Sequence, residues 1–164
     1  MIYKMNTEIY CSNCDRFVST VDDNGYCYEC SNTLNNYQEA ELIDELTLHT
    51  EVTIDSAHKL EKYDGKCATL HGHTWKVEVW FKGHPSLRDE VGILVDFGIV
   101  KEIKEHLDHK YINDVIRMNP TAENLTQYIY MFIKDRIKKG IRVKVRVYET
   151  CVDKITYCEG GDFE

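Results

Sequence analysis

Apolar and polar residues alternate along three stretches of the chain, and this period of two is typical of β-strands with one covered face. The first stretch places on that face Leu48, Val52 and Ile54. The second places there Trp75, Val77, Val79 and Phe81, and the third Val143, Val145 and Val147. A shorter fourth strand is predicted over residues 154–158. Together these stretches predict a sheet with one apolar face.

Two stretches between the second and third strands have the period of an amphipathic helix. The first begins near Asp96, a suitable N-cap, and its apolar positions are Val100, Ile103 and Leu107. The second begins at 119–121, and two lysines and a glycine at 138–140 indicate its end. Its apolar positions are Leu125, Tyr128, Ile129, Phe132, Ile133 and Ile137. The order ββααββ predicts an α+β domain with an antiparallel sheet and two helices on one face.

The covered face of each strand continues into polar residues, because side chains two positions apart share a face. It reaches His58 in the first strand, His71 and His73 in the second, and Glu149 in the third. Burying polar groups costs free energy unless they are paired, so these residues indicate a binding site. Three imidazoles without a fourth protein ligand are typical of catalytic zinc. Taken alone, His71 and His73 would more simply be interpreted as a satisfied core histidine or a surface pair than as metal ligands.

Cys67 and the Asp108-His109 pair are further candidates for chemistry. Cys67 lies in the loop four residues before His71, and Lys66 beside it favours the thiolate form. A carboxylate next to an imidazole, as in Asp108-His109, can tune a proton relay. Each group also has a simpler interpretation, which is a small buried residue for Cys67 and a solvated helix end for the pair.

Two CxxC pairs precede the sheet domain, Cys11 with Cys14 and Cys27 with Cys30. Each pair can place two sulfurs on one tight turn, and four thiolates complete a closed tetrahedron around Zn²⁺, which predicts a structural zinc ribbon. Scattered buried cysteines and a redox CxxC are the alternatives. The predicted boundaries are 1–33 for the ribbon, 34–46 for a linker with a short helix, and 47–164 for the sheet domain. The apolar side of that short helix would consist of Leu42, Ile43 and Leu46.

Composition and charge narrow the classes of function. The 164 residues are 43% hydrophobic and 29% charged, as in globular proteins, and no apolar run is long enough for a membrane span. Residues 1–10 lack the apolar stretch of a secretory signal, so we expect a cytoplasmic protein with reduced cysteines. Nine acids and two bases lie in residues 1–48, which carry nearly all of the net charge of −8. This acidity counts against nucleic-acid binding by the ribbon.

A series of motifs resembles one enzyme family. VTIDSAHKL, KCATLHGHTWKV, VGILVDF, LDHKYIND, NPTAENL and VRVYETC follow one another over about residues 47–164. In this order they resemble the 6-pyruvoyl-tetrahydropterin synthase / 6-carboxytetrahydropterin synthase family, which has the tunnelling fold. That family closes trimers into a twelve-stranded barrel and stacks two of them, so the resemblance implies a homohexamer with sites between subunits. The N-terminal ribbon is not part of the usual family chain, and its partner is open.

The resemblance also implies a role for each candidate residue. The ligands of the catalytic zinc would be His58, His71 and His73, in addition to the structural zinc of the ribbon. The acid–base groups would be Cys67 with its partners Asp108 and His109. The pterin would be bound by Glu149, Thr121 and Glu123. Candidates for holding the triphosphate of the substrate are Lys59, Lys62, Lys66 and Lys110.

Within the family, the three residues between Cys67 and His71 resemble the bacterial 6-carboxytetrahydropterin synthases of the queuosine and 7-deazaguanine pathway, as does the ending Glu149-Thr150-Cys151. These lyases convert 7,8-dihydroneopterin triphosphate to 6-carboxy-5,6,7,8-tetrahydropterin, acetaldehyde and triphosphate. The alternative within the family is 6-pyruvoyl-tetrahydropterin synthase, which eliminates triphosphate only. An alternative of another class is a non-catalytic zinc-ribbon adaptor on a pterin-binding barrel, against which the intact set of acid–base residues argues.

Overall fold

The computed structural model describes residues 9–11, 14, 16–18, 20, 23, 27–30, 43–150 and 154–164. The chain divides into two compact units, Met1–Ile43 and Asp44–Glu164. In the first unit, strand β1 (Ile9–Cys11) pairs antiparallel with strand β2 (Arg16–Val18), and residues 28–30 are helical.

The second unit has one antiparallel sheet and two helices, and the predicted order ββααββ is confirmed. The strands are β3 (Leu46–His58), β4 (His71–Gly83), β5 (Arg142–Thr150) and β6 (Thr156–Gly161). They lie side by side in that order. The helices between β4 and β5 are α1 (Gly98–Leu107) and α2 (Ala122–Lys134). Short 3-10 turns span Lys66–Ala68, Pro85–Leu87 and Ile112–Asp114.

The core lies between the helices and the face of the sheet that the alternation predicts. The buried strand residues include Ile54, Trp75, Val77, Val79, Phe81, Val143, Val145 and Val147. The helices contribute Val100, Ile103, Leu107, Leu125, Ile129 and Ile133. Each fully buried side chain of this size stabilises the fold by about 1.5–3 kcal/mol relative to an exposed one. The opposite face of the sheet carries ion pairs, such as Lys76 with Glu51 and Glu78 at 2.9 Å each.

Both helices begin close to the predicted positions, but the N-cap of α1 is Phe97 rather than the predicted Asp96, and α2 ends earlier than predicted. Asp96 Oδ1 accepts from the Gly98 N–H at 2.7 Å, directly before α1. The Thr121 hydroxyl accepts from the Asn124 N–H at 3.3 Å, directly before α2. Helix α2 ends at Lys134, before the predicted 138–140, because the Arg136 N–H bonds to the Ile133 carbonyl in a tighter turn. Gly140, with φ of 97°, serves the turn into β5 instead.

The short helix predicted within 34–46 lies mostly outside the described residues. At its end, Ile43 is exposed and Leu46 belongs to β3, where it pairs with Gly83 of β4. The ladder hydrogen bonds of the long strand therefore take precedence over a helical period at Leu46. In the described part of the chain no helix, α1 and α2 included, has the length and apolar character that a bilayer crossing requires.

Candidate active site

Strands β3 and β4 bring the three predicted histidines to one place. In the ladder, His58 at the end of β3 lies opposite His71 at the beginning of β4, and Ser56 lies opposite His73. All three imidazoles extend the covered face of the sheet, as the alternation predicts. His58 is fully buried, whereas His71 and His73 are half-buried. The antiparallel register thus creates a cluster with one inner and two outer imidazoles.

The geometry of the three imidazoles fits a metal ion. One ring nitrogen from each lies within 4.8 Å of the others, and the Nε2 atoms of His58 and His71 are 3.0 Å apart. A tetrahedral metal with nitrogen ligands at about 2.0–2.1 Å would separate two of them by about 3.3 Å. His73 Nε2 is buried and has no hydrogen-bond partner among the described residues. A metal ligand bond would satisfy this nitrogen, which would otherwise be costly to bury.

Two backbone carbonyls orient the ligand nitrogens. His58 Nδ1 lies 2.7 Å from the Pro120 carbonyl oxygen, and His71 Nδ1 lies 2.7 Å from the Thr69 carbonyl oxygen. A carbonyl only accepts hydrogen bonds, so each Nδ1 carries the proton and each Nε2 keeps a lone pair for the metal. The side-chain pattern of the sequence does not reveal these two carbonyls. The only related feature that the sequence shows is Pro120 itself, which directly precedes Thr121, the cap of α2.

The environment favours neutral imidazoles. Burial lowers the pKa of His58, and His71 and His73 lower it further, although the bond to Pro120 and the charge of Glu149 oppose this shift. Burial likewise lowers the pKa of His73, with Glu149 again opposing. A metal binds the neutral form of imidazole, so both shifts favour metal binding at neutral pH.

Two further side chains of the covered face complete the surroundings of the cluster. Glu149 Oε1 lies 3.7 Å from His73 Nε2 and 4.0 Å from His58 Nε2, and this carboxylate is one-third exposed. Trp75 packs edge-on against His58 and His73, with ring centroids 5.1 and 5.2 Å away. Sequence reasoning assigned Trp75 only to the core, although its place two residues after His73 on the same face indicated this contact.

Cys67 lies in the 3-10 turn Lys66–Ala68, which leads into β4. Its side chain is half-buried, and its carbonyl accepts from the Leu60 N–H at 2.8 Å. This turn is therefore attached to the segment that directly follows His58. The role of its thiol in proton transfer stays a prediction.

Asp108 and His109 form the predicted carboxylate–imidazole pair at the other edge of β3. Asp108 Oδ2 lies 3.2 Å from His109 Nδ1, and Asp108 Oδ1 accepts from the Asp55 N–H at 2.8 Å. That backbone hydrogen bond, followed by the contact with His109, lowers the pKa of Asp108. The His109 side chain is 80% exposed. Among the described residues, no hydrogen bond or ion pair joins this pair to the three histidines or to Cys67. An open cleft of about 580 Å³ is lined by both His73 and His109.

Thr121 and Glu123, predicted to bind the pterin, make local contacts at the beginning of α2. The Thr121 hydroxyl caps the helix, and hydrogen bonds from Thr121 and from the Glu123 N–H lower the pKa of Glu123. These contacts fix the helix terminus next to Pro120, whose carbonyl orients His58. Among the described contacts, Thr121 and Glu123 thus reach the histidine cluster only indirectly, through Pro120.

The four N-terminal cysteines form a second candidate metal site. One sulfur from each of Cys11, Cys14, Cys27 and Cys30 lies within 4.8 Å of the others. The Sγ atoms of Cys14 and Cys27 are 3.9 Å apart, close to the roughly 3.8 Å that two 2.3 Å bonds to a tetrahedral zinc would give. The Cys27 N–H also donates to Cys11 Sγ at 3.3 Å. The spacing of the sulfurs thus fits a metal site with four thiolate ligands.

Comparisons with known proteins point to the same enzymes. A curated relative from Synechocystis sp. (strain ATCC 27184 / PCC 6803 / Kazusa), 6-carboxy-5,6,7,8-tetrahydropterin synthase, is 30% identical over 118 residues, which cover 67% of this chain and 91% of the relative. The protein of that name from Haemophilus influenzae is 26% identical over 136 residues, covering 66% and 94%.

The fold has the same relatives. The structure of Caenorhabditis elegans 6-pyruvoyl tetrahydropterin synthase superposes with a TM-score of 0.55 at 22% identity, covering 71% of this chain and 96% of that one. At this identity the superposition shows the tunnelling fold alone. The sequence profile of 6-pyruvoyl tetrahydropterin synthase matches residues 47–160, which are most of the chain. The chain therefore belongs to the 6-pyruvoyl tetrahydropterin synthase family.

Proposed function

We propose that this protein is a zinc-dependent 6-carboxy-5,6,7,8-tetrahydropterin synthase. Its substrates are 7,8-dihydroneopterin triphosphate and one water, and its products are 6-carboxytetrahydropterin, acetaldehyde and triphosphate. The observation that carries the proposal is the cluster of His58, His71 and His73, in which one ring nitrogen from each lies within 4.8 Å of the others and Glu149 lies beside them. The names of the curated relatives support the carboxypterin product over the pyruvoyl product.

Zinc fits the histidine cluster, because three imidazoles leave a fourth position open. A bound zinc ion would act as a Lewis acid on a hydroxyl or carbonyl oxygen of the substrate side chain. His58, His71 and His73 would hold it through Nε2, with the two Nδ1–H bonds to carbonyls fixing the ring orientations of His58 and His71. The half-buried positions of His71 and His73 leave an approach for the substrate from the outer side.

The remaining candidate residues would bind the pterin and move protons. The Glu149 carboxylate can accept two parallel hydrogen bonds from the 2-amino-4-oxo edge of a pterin. Cys67 would exchange a proton with the side-chain carbons of the substrate. Asp108 accepts from His109 Nδ1, which leaves His109 Nε2 for proton exchange with the thiol or the substrate.

The separation of the acid–base groups supports an assembly with sites between subunits. Asp108 and His109 lie along the edge of β3 that faces away from β4, and they bond to Asp55 rather than to the histidines, although His109 and His73 line the same open cleft. An exposed imidazole at that edge suits a residue that completes the site of a neighbouring copy. We accordingly propose a cytoplasmic homohexamer that acts in the queuosine and 7-deazaguanine pathway.

We further propose a structural zinc ion in the cysteine cluster of a ribbon that ends near residue 33. Four thiolates leave no open coordination position, so this zinc would stabilise the ribbon rather than bind substrate. The two proposals give two zinc ions per chain with separate roles.

The two alternatives make different predictions for the same experiment. Zinc-loaded protein is incubated with 7,8-dihydroneopterin triphosphate, and the pterin product is identified by mass spectrometry. A carboxypterin that is formed by the wild type and not by H71A supports the proposal. A pyruvoyl pterin would favour the second family activity, and no product from protein with both metals bound would favour a non-catalytic adaptor.

A further inference from the structure

The outer edge of β3, which faces away from β4, is bonded by the segment that follows α1. The His109 N–H donates to the Asp55 carbonyl at 2.7 Å, and the Ala57 N–H donates to the Lys110 carbonyl at 3.0 Å. This backbone pairing stops where the segment enters the 3-10 turn Ile112–Asp114. The next residues on the same edge, Lys59 and Glu61, therefore have no backbone neighbour in that segment.

Two asparagine side chains take the place of the missing backbone. Asn113 Oδ1 accepts from the Lys59 N–H at 3.1 Å, and Asn113 Nδ2 donates to the Lys59 carbonyl at 3.0 Å. Asn119 makes the same pair with Glu61, at 2.8 and 2.9 Å. A carboxamide carries one acceptor and a donor, as a peptide group does, so each asparagine extends the ladder by one residue pair.

The residue between the two clamped positions holds the turn that carries Cys67. Alternate N–H groups of an extended chain point to opposite edges, and the Leu60 N–H donates to the Cys67 carbonyl at 2.8 Å. Residues 59–61 are thus bonded on both edges, with the asparagines on one side and the Cys67 turn on the other. The same three residues directly follow His58, so they connect the thiol-bearing turn to the histidine cluster.

We propose that Asn113 and Asn119 are positioning residues that set the place of Cys67 relative to the histidine centre. This inference rests on the proposed function, in which Cys67 transfers protons. Both hydrogen-bonding groups of each carboxamide are used, so aspartate would lose the donor and alanine would lose both groups. Among the described residues, neither asparagine side chain bonds to the three histidines or to Glu149; the side chains bond to Lys59 and Glu61. Their effect is therefore expected on the chemical step rather than on substrate affinity.

The test compares N113A and N119A with T126V. Thr126 is buried in α2 and donates to the Ala122 and Cys158 carbonyls, so T126V removes buried hydrogen bonds far from residues 59–61 along the chain. For each zinc-loaded variant we would measure kcat, KM, zinc content and hydrogen exchange of the Leu60 amide. The alkylation rate of Cys67, followed by peptide mass spectrometry, distinguishes this thiol from the other cysteines.

We expect kcat to fall about 10- to 100-fold in N113A and N119A, with KM and zinc content nearly unchanged, since small displacements of a reacting group have effects of this size. The Leu60 amide should exchange at least about 10-fold faster and the alkylation rate of Cys67 should change, because the turn loses its fixed support. T126V should lower stability without either change. Leu60 exchange that stays at the wild-type rate in both asparagine variants, or an equal loss of kcat in T126V, would overturn the proposal.

Two further observations keep the test decisive. If N119A does not fold, N113A removes an equivalent pair, and in the wild type the amides of 59–61 must exchange more slowly than those of 62–65. Faster or equal exchange at 59–61 would contradict the clamp. If the wild type does not turn over the pterin triphosphate, the proposed function fails, whereas Leu60 exchange and Cys67 alkylation still decide whether the asparagines position the turn.

Discussion

The two candidate metal sites of this chain are assembled in opposite ways. The four cysteines come from two CxxC pairs within residues 11–30, so spacing along the chain alone brings their sulfurs together. The three histidines lie at the ends of two 13-residue strands, and only the antiparallel register places His58 opposite His71. A shift of the register by one residue would turn His58 to the other face of the sheet. The first site is thus local, and the second depends on the whole sheet.

The ligand types of the two sites differ in what they allow. Four thiolates would leave a tetrahedral zinc no open position, so a zinc ion at the first site would support structure only. Three imidazoles leave one position, and the Glu149 carboxylate lies 3.7 Å from His73 Nε2 beside it. We therefore expect loss of the first metal to affect folding of the ribbon, and loss of the second to affect chemistry. The following predictions separate these two effects.

The largest expected effect is on the ribbon when its metal is lost. C27S should lower zinc from two ions per chain to one and unfold residues 9–30, because zinc binding to such sites supplies about 10–16 kcal/mol. Zinc analysis with hydrogen exchange of both units measures this. C158S, which changes a half-buried cysteine of β6 outside the cluster, should keep both zinc ions. Protection of residues 9–30 that survives in C27S would show that the ribbon folds without metal.

The next effect is on turnover when the histidine centre is broken. H71A should also lose one zinc ion, but it should keep the ribbon folded and lower kcat by about 1,000-fold or more, since Lewis-acid activation contributes several kcal/mol. The comparison is H84A, because His84 is exposed and, among the described residues, its side chain bonds only with Ser86. If H71A retained two zinc ions, the histidine cluster would not be a zinc site.

A smaller loss of activity is expected from C67A, with both metals retained. A positioned acid–base group contributes about 100- to 10,000-fold, so kcat should fall within this range. Zinc content and the affinity for a non-reacting pterin should stay close to those of the wild type. The matched control is C158A. Turnover by C67A at the rate of this control would remove Cys67 from the mechanism.

The smallest effect concerns the stability of the sheet without any metal. Burial raises the pKa of Asp162, but hydrogen bonds from Lys134, Tyr130 and the Val143 amide outweigh it, so the net shift is downward. A lowered carboxyl pKa contributes stability above the unfolded pKa of about 3.9, and this is lost as the pH falls through the folded pKa.

This prediction is measured by urea unfolding, between pH 3 and pH 7, of protein from which a chelator has removed the metal. D162N should reduce the free energy of unfolding by about 1 kcal/mol at pH 7, and the difference from the wild type should shrink toward pH 3. A difference that grew toward low pH would contradict the sign of this shift.

The elements that the sequence predicted correctly are those with a period or a fixed spacing. The alternation at Trp75–Phe81 and the CxxC pairs are local patterns, and both appear in the structure as expected. The shared face of the three histidines also followed from parity alone. The end of α2 was wrong, because the turn at Arg136 depends on a backbone hydrogen bond rather than on the side-chain period.

Other parts of the site could not be predicted because backbone groups form them. The carbonyls of Pro120 and Thr69, which orient His58 and His71, have no signature in the side chains. The asparagine clamps on residues 59–61 pair groups more than 50 positions apart. The separation of Asp108-His109 from the histidines likewise depends on which edge of β3 the segment follows. Such tertiary contacts appear only when the register is known.

Product stoichiometry tests the central claim most directly. Zinc-loaded wild-type protein is supplied with 7,8-dihydroneopterin triphosphate, and acetaldehyde and triphosphate are quantified in the same sample. We predict equal amounts of both products, with release of neither in H71A. Release of triphosphate without acetaldehyde, as a pyruvoyl pterin accumulates, would contradict the assignment as a 6-carboxytetrahydropterin synthase.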